Sequence, residues 1–151
     1  MRHFTIFWFG QVVSMFGTRM TSFAIAIWAW QQTGTVTALS LLLLFSMGPA
    51  IIFGPFAGNM VDCYSRKLII ILTDTVAGLA TIVVLGLFFM DSLQIWHLYV
   101  ANFVAGLSGA FQMPATAASI TMMVPKEQLG RANGMMSLIY STSNVAAPLL
   151  A

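Results

Sequence analysis

Charge is what this sequence lacks. Six Lys and Arg and four Asp and Glu are spread over 151 residues. A soluble domain of that length carries several times more charge to cover its surface. Together with a strongly positive mean hydropathy, the scarcity excludes an ordinary water-soluble domain and defines a polytopic membrane protein whose partner is the lipid bilayer. The net charge of +2 comes from a handful of residues and fits neither nucleic-acid binding nor a polybasic lipid anchor. Cys63 is the only cysteine, which excludes an intrachain disulfide. No Cys and His are spaced as metal ligands, so no metal is expected. No glycine-rich phosphate loop ending in Lys-Ser/Thr is present, so an ATP-driven pump is not indicated and no cofactor is expected. The alternating pattern of a β-barrel is absent too, leaving helices to satisfy the backbone inside the bilayer.

What is there is a series of long apolar runs. Met1-Arg2-His3 before an apolar run, with Ala24-Ile25-Ala26 as a small-x-small site, raises the possibility of a signal peptide. The run continues through Trp28 and Trp30, beyond the roughly 7–15 residues of a signal-peptide core, and reads as a retained first span. At about 20 apolar residues per crossing, an all-α fold of five spans is predicted. They run from about Phe4 to Trp30, Ala38 to Val61, Leu68 to Met90, Ile95 to Val124, and Arg131 to Ala151. Gly34 is a plausible stop for the first, Asp91-Ser92 for the third and Pro125-Lys126-Glu127 for the fourth. The fifth run is still apolar at Ala151, with no polar anchor, so the chain is expected to be a fragment of a longer protein or the product of a truncated gene.

Cations set the orientation. Arg2, Arg66, Lys67, Lys126 and Arg131 fall at the N-terminus and in the second and fourth loops, whereas the first and third loops have no Lys or Arg. The positive-inside rule places the N-terminus in the cytoplasm. The second loop carries an anomaly as well. Helix dipoles favour acids at N-termini and bases at C-termini. Asp62 lies at the end of the second helix, and Arg66 and Lys67 lie at the start of the third, so the order is reversed. Topology accounts for Arg66 and Lys67 but not for Asp62.

The stretch Gly58-Asn59-Met60-Val61-Asp62-Cys63-Tyr64-Ser65-Arg66-Lys67 resembles the signature loop of the major facilitator superfamily, Gly-x-x-x-Asp-Arg/Lys-x-Gly-Arg-Arg/Lys. Gly58, Asp62, Arg66 and Lys67 match, while Cys63 replaces the usual cation and Ser65 the usual glycine. Phe7-Trp8-Phe9-Gly10-Gln11, Thr21-Ser22-Phe23-Ala24, Gln32-Thr33-Gly34, the run from Gly109 to Ala115, and Leu129-Gly130-Arg131-Ala132-Asn133-Gly134 resemble the macrolide-efflux and enterobactin-exporter branch. The resemblance covers the whole chain, residues 1–151, as part of an N-terminal transmembrane domain. It implies a secondary-active exporter of small amphipathic or drug-like molecules in the plasma or inner membrane, working by alternating access of two six-helix halves, with the C-terminal half as a missing partner. It also implies that Asp62 contacts the second half and holds one face shut.

Polar residues inside the spans supply candidate cavity positions. Gln11, Ser14, Thr18 and Ser22 follow a three-to-four-residue rhythm, with Arg19 beside Thr18. An Arg at a helix centre costs about 2.5–3.5 kcal/mol on insertion scales, so Arg19 is expected to face a cavity or a partner. Two readings stand: a substrate or coupling-ion site, or a structural ion pair with Asp74 or an acid in the missing half. Family members often carry an acid near position 18, where this chain has Thr18. Asp74, in the third span, is either hydrated or paired near the interface with Arg66 or Lys67, or a coupling acid. Asn102, Gly106, Gly109, Gln112 and Thr116 share a face of the fourth span. Asn102, Gln112 and Thr116 are candidate cavity lining and the glycines fit close helix packing. Asn102 stands where the family's fourth-span arginine is expected. Gly134, Ser143, Ala147, Pro148 and Ala151 fall at the spacing of the family's glycine-rich antiporter motif; Gly134 and Pro148 match it. Gly54 and Gly58 form a packing pair, and Pro49, Pro55 and Pro114 are expected kinks.

Two rivals come from other classes. One is a non-transporting membrane subunit held by the same helix faces. The other is an intramembrane serine protease, because Gly106-Leu107-Ser108-Gly109 matches a Gly-x-Ser-Gly nucleophile site. The nearest base, His97, precedes Ser108 on the same helix by about 16 Å, so no catalytic residue is expected.

Overall fold

The computed structural model describes the backbone of residues 2–150 and the side chains of residues 4–146. The described residues form five long helices: α1 (Arg2–Thr33), α2 (Val36–Cys63), α3 (Arg66–Phe89), α4 (Ile95–Met123) and α5 (Leu129–Leu150). A single 3₁₀ turn, Lys126–Gln128, precedes α5. No strand occurs among the described residues. Three helices, α1 from Phe4, α2 and α3, are long and apolar enough to cross a membrane. Helices α4 and α5, of 29 and 22 residues, also have spanning length.

The breaks fall where local chemistry puts them. Gly34 adopts φ +61 and its N–H donates to the Trp30 carbonyl at 2.8 Å, closing α1 with a left-handed cap. Thr33 reinforces this end by donating its hydroxyl to the Ala29 carbonyl at 2.8 Å. Helix α3 ends in a Schellman arrangement. The Ser92 N–H reaches the Leu87 carbonyl at 3.0 Å and the Asp91 N–H reaches the Phe88 carbonyl at 3.2 Å, with Asp91 at φ 52 where glycine is commoner. At the start of α4, Gln94 and His97 exchange bonds in the manner of a capping box. The Gln94 N–H donates to His97 Nδ1 and the His97 N–H to the Gln94 carbonyl, both at 3.1 Å.

The chain divides into two compact units, one of Met1–Ile27 with Ala118–Ala151 and one of Trp28–Ala117. The first has an apolar core of Phe4, Ile120, Val124, Ala132, Met136 and Ile139. Ala132, Met136, Ile139 and Ser143 are buried at three-to-four-residue spacing, which makes them one stripe of α5. Trp8 fastens α1 to this stripe, its indole N–H donating to the Met135 carbonyl at 3.1 Å.

In the second unit the buried face of α2 runs through Ala38, Leu42, Pro49, Ala57 and Val61. Pro49 and Pro55 lie inside α2 and Pro114 inside α4, and each removes one i−4 backbone bond without ending its helix. The other faces of α2 and α3 expose large apolar side chains, among them Leu43, Ile51, Phe56, Leu79 and Ile82. Such continuous apolar exposure suits hydrocarbon rather than water.

Candidate gating loop and intramembrane polar groups

The loop is shorter than the apolar runs suggested. No breaker interrupts residues 61–63, and α2 continues through Asp62 and Cys63, while α3 begins at Arg66. Only Tyr64 and Ser65 lie outside helix. Asp62 therefore sits in the last turn of α2, and Arg66 and Lys67 open α3. The reversed order of charge against the helix dipoles is real in the structure. Asp62, Lys67 and Cys63 are exposed. Ser65 has φ −63 and ψ 115, a conformation open to any residue, so the backbone makes no demand for the family's glycine there. A Cβ added to Gly58 meets no atom within 4 Å, so nothing described here requires glycine at 58 either.

The polar face of α1 divides. Gln11 is buried, whereas Ser14, Thr18, Arg19 and Ser22 are exposed. Thr18 donates its hydroxyl to the Ser14 carbonyl and Ser22 to the Thr18 carbonyl, each at 2.9 Å. These hydroxyls are satisfied by their own helix. Arg19 cannot be satisfied in that way, because a guanidinium has five donors. It lies roughly 25 Å from one end of α1 and 21 Å from the other at 1.5 Å per residue, near the middle of the helix.

On α4 the candidate residues behave differently from one another. Asn102 turns onto its own helix, its Nδ2 donating to the Leu98 carbonyl at 2.9 Å. Gln112 reaches across to α3, its Nε2 donating to Asp74 Oδ1 at 2.6 Å. Sequence reasoning flagged both residues but not their bond. Thr116 is buried with a hydroxyl that has no partner, as is Ser143 on α5. Gly106 is the one glycine whose Cβ would collide. It would overlap the Ser46 carbonyl oxygen and lie 2.9 Å from the Ser46 carbonyl carbon. A Cβ on Gly109 or Gly134 meets nothing within 4 Å. Phe45 and Tyr99 stack beside the Gly106 crossing, with ring centroids 5.4 Å apart. Neither that stack nor the Trp8–Met135 bond was anticipated, since no local signal marks them. The side chains of Ala147 and Pro148 lie outside the described residues, and so does Ala151.

No Ser-His dyad assembles along α4. Ser108 is buried, and His97, eleven residues earlier, spends its Nδ1 on the Gln94 N–H.

Long apolar helices joined by tight caps, with sparse polar residues inside the spans, define a multi-pass α-helical membrane protein. The family follows from comparison. The Major Facilitator Superfamily model matches residues 7–151, and the chain belongs to that superfamily. It is 31% identical to macrolide efflux protein A of Streptococcus pyogenes over 151 residues, all of this chain and 37% of that protein. It is 32% identical to macrolide efflux protein A of Enterococcus faecalis over 118 residues, 78% of this chain and 36% of that protein. Multidrug resistance protein 2 of Bacillus subtilis (strain 168) is 32% identical over 98 residues, 65% of this chain and 23% of that protein. The chain thus spans little more than a third of the length of the macrolide efflux proteins that it matches. No solved structure matches.

Proposed function

We propose that this chain is the first part of a secondary-active exporter of small amphipathic, drug-like molecules, sited in the cell membrane with its N-terminus in the cytoplasm. The observation that carries the reading is similarity along all of this chain to part of a protein named for macrolide efflux, joined to a loop whose charges oppose both helix dipoles. The export cycle would rock two six-helix halves about a midplane site. Asp62 would hold the cytoplasmic face shut against a helix of the other half. Arg19, Ser14, Thr18 and Ser22 would face the solute path. The antiporter-like positions Gly134, Ala147 and Pro148 would serve ion-coupled export.

The test is drug accumulation in cells expressing the complete gene. Wild-type protein should lower accumulation of a macrolide, and Asp62→Asn should abolish the difference. The 151-residue chain alone should carry no flux in proteoliposomes, because it lacks the opposing wall of the cavity. Unchanged accumulation with the complete gene would favour a non-transporting membrane subunit instead.

A further inference from the structure

We propose that α4 carries α2, α3 and the loop between them as one rigid body, fastened at two points. In this arrangement Asp74 acts as a positioning residue, through its capacity to accept a hydrogen bond rather than through its charge.

The first fastener is the 2.6 Å bond from Gln112 on α4 to Asp74 on α3. Both side chains are half-buried. In a low-dielectric setting such a bond is strong, and an acceptor left without its donor is costly. Sliding α3 along α4 breaks it.

The second fastener is a backbone contact. Gly106 approaches α2 so closely that a Cβ has no room beside the Ser46 carbonyl. The same Cβ would lie 3.2 Å from the Phe45 carbonyl oxygen. That carbonyl has lost its helical donor, because the residue four positions on is Pro49. Glycine is what permits the approach, since any side chain at 106 would strike the Ser46 backbone. Rotating α4 by one residue position would set Ala105 or Leu107 against the same backbone, and each carries a Cβ. The Phe45–Tyr99 stack braces the crossing two helical turns from Gly106.

The two fasteners lie six residues apart on α4, about 9 Å along its axis. One grips α2 and the other α3, the two helices that the Tyr64–Ser65 link joins. All of these residues fall in the compact unit Trp28–Ala117. Two grips at different heights resist both sliding and swivelling, so a force on the loop is delivered to α4.

Spin labels on Cys63 and on Met113→Cys, both exposed, report the distance from the loop to α4 in the full chain reconstituted in nanodiscs. This readout needs no transport. The wild-type distance distribution should be a single narrow peak, at the same position with and without erythromycin as probe. Asp74→Asn should keep the narrow peak, because the amide oxygen still accepts from Gln112. Asp74→Leu, Gln112→Leu and Gly106→Ala should each lose it. The proposal is overturned if the wild-type peak moves with erythromycin, or if Asp74→Asn broadens it as much as Asp74→Leu. A narrow peak in both Gln112→Leu and Gly106→Ala would overturn it equally, and Gln112→Leu, which removes no backbone contact, guards against a variant that fails to fold.

Discussion

Gln112 of α4 and Asp74 of α3 form a side-chain hydrogen bond between two helices, 38 residues apart in sequence and 2.6 Å apart in space. Deleting the donor leaves a half-buried carboxylate short of a partner. Hydrogen bonds to charged groups are worth about 1.5–3 kcal/mol, and interhelical ones in membranes average nearer 0.6. Gln112→Leu should therefore destabilise the protein by about 1–2 kcal/mol, read from the denaturant midpoint of unfolding in bicelles. Asp74→Asn should lose less than half of that.

The glycines of α4 and α5 should differ sharply. Gly106→Ala forces a Cβ onto backbone, which cannot rotate away, and overpacking of this kind costs about 1–3 kcal/mol. Gly109→Ala and Gly134→Ala meet open space and should be neutral or stabilising by up to about 1 kcal/mol, the helix-propensity gain. Parallel melting curves of the three variants check the ranking.

Asp91 holds the left-handed cap of α3 at φ 52. Asp91→Gly relieves the strain and should raise the melting temperature slightly. Asp91→Val adds a β-branched side chain at positive φ and should lower stability by about 1–2 kcal/mol. An equal response to both substitutions would show that the cap conformation contributes nothing.

Asp62 sits against the negative end of the α2 dipole. Removing its charge should stabilise the helix end by about 0.3–1 kcal/mol at low salt, and the gain should shrink as salt rises. The same Asp62→Asn change should abolish export by the complete transporter. Opposite signs in the two measurements would mark a residue retained at the expense of stability.

Arg19 is the other residue with opposed effects. Arg19→Gln removes a mid-span charge whose insertion costs about 2.5–3.5 kcal/mol, so the yield of inserted protein should rise. Export by the complete protein should fall, with Arg19→Lys intermediate, as measured by drug accumulation at matched expression.

Helix positions were legible because their signals are local. Gly34, Asp91-Ser92 and Pro125 stop helices by their own backbone preferences, and the charge order at Asp62, Arg66 and Lys67 can be read without tertiary structure. The apolar pattern alone leaves the loop longer than it is, because Asp62 and Cys63 interrupt the apolar run yet have no feature that halts a helix already propagating. Interhelical register was not legible. Gly106 and Gly109 look alike in sequence, and only the location of Ser46 separates them. Gln11 belongs to the same rhythm as Ser14, Thr18 and Ser22, yet it alone is buried. Helices apolar on every side carry no amphipathic stripe to orient them, and packing between them is decided by shape.

The links at Gly34-Thr35 and Tyr64-Ser65 are two residues each. Connections so brief leave almost no polar mass to move across a bilayer, so α1, α2 and α3 can enter it as consecutive hairpins during synthesis. They also leave no room for a glycosylation acceptor or an epitope, since an insertion there would pry apart the helix ends that the caps hold together. Membrane sidedness must then be mapped by small reagents, and the exposed thiol of Cys63 offers a native handle at the second link.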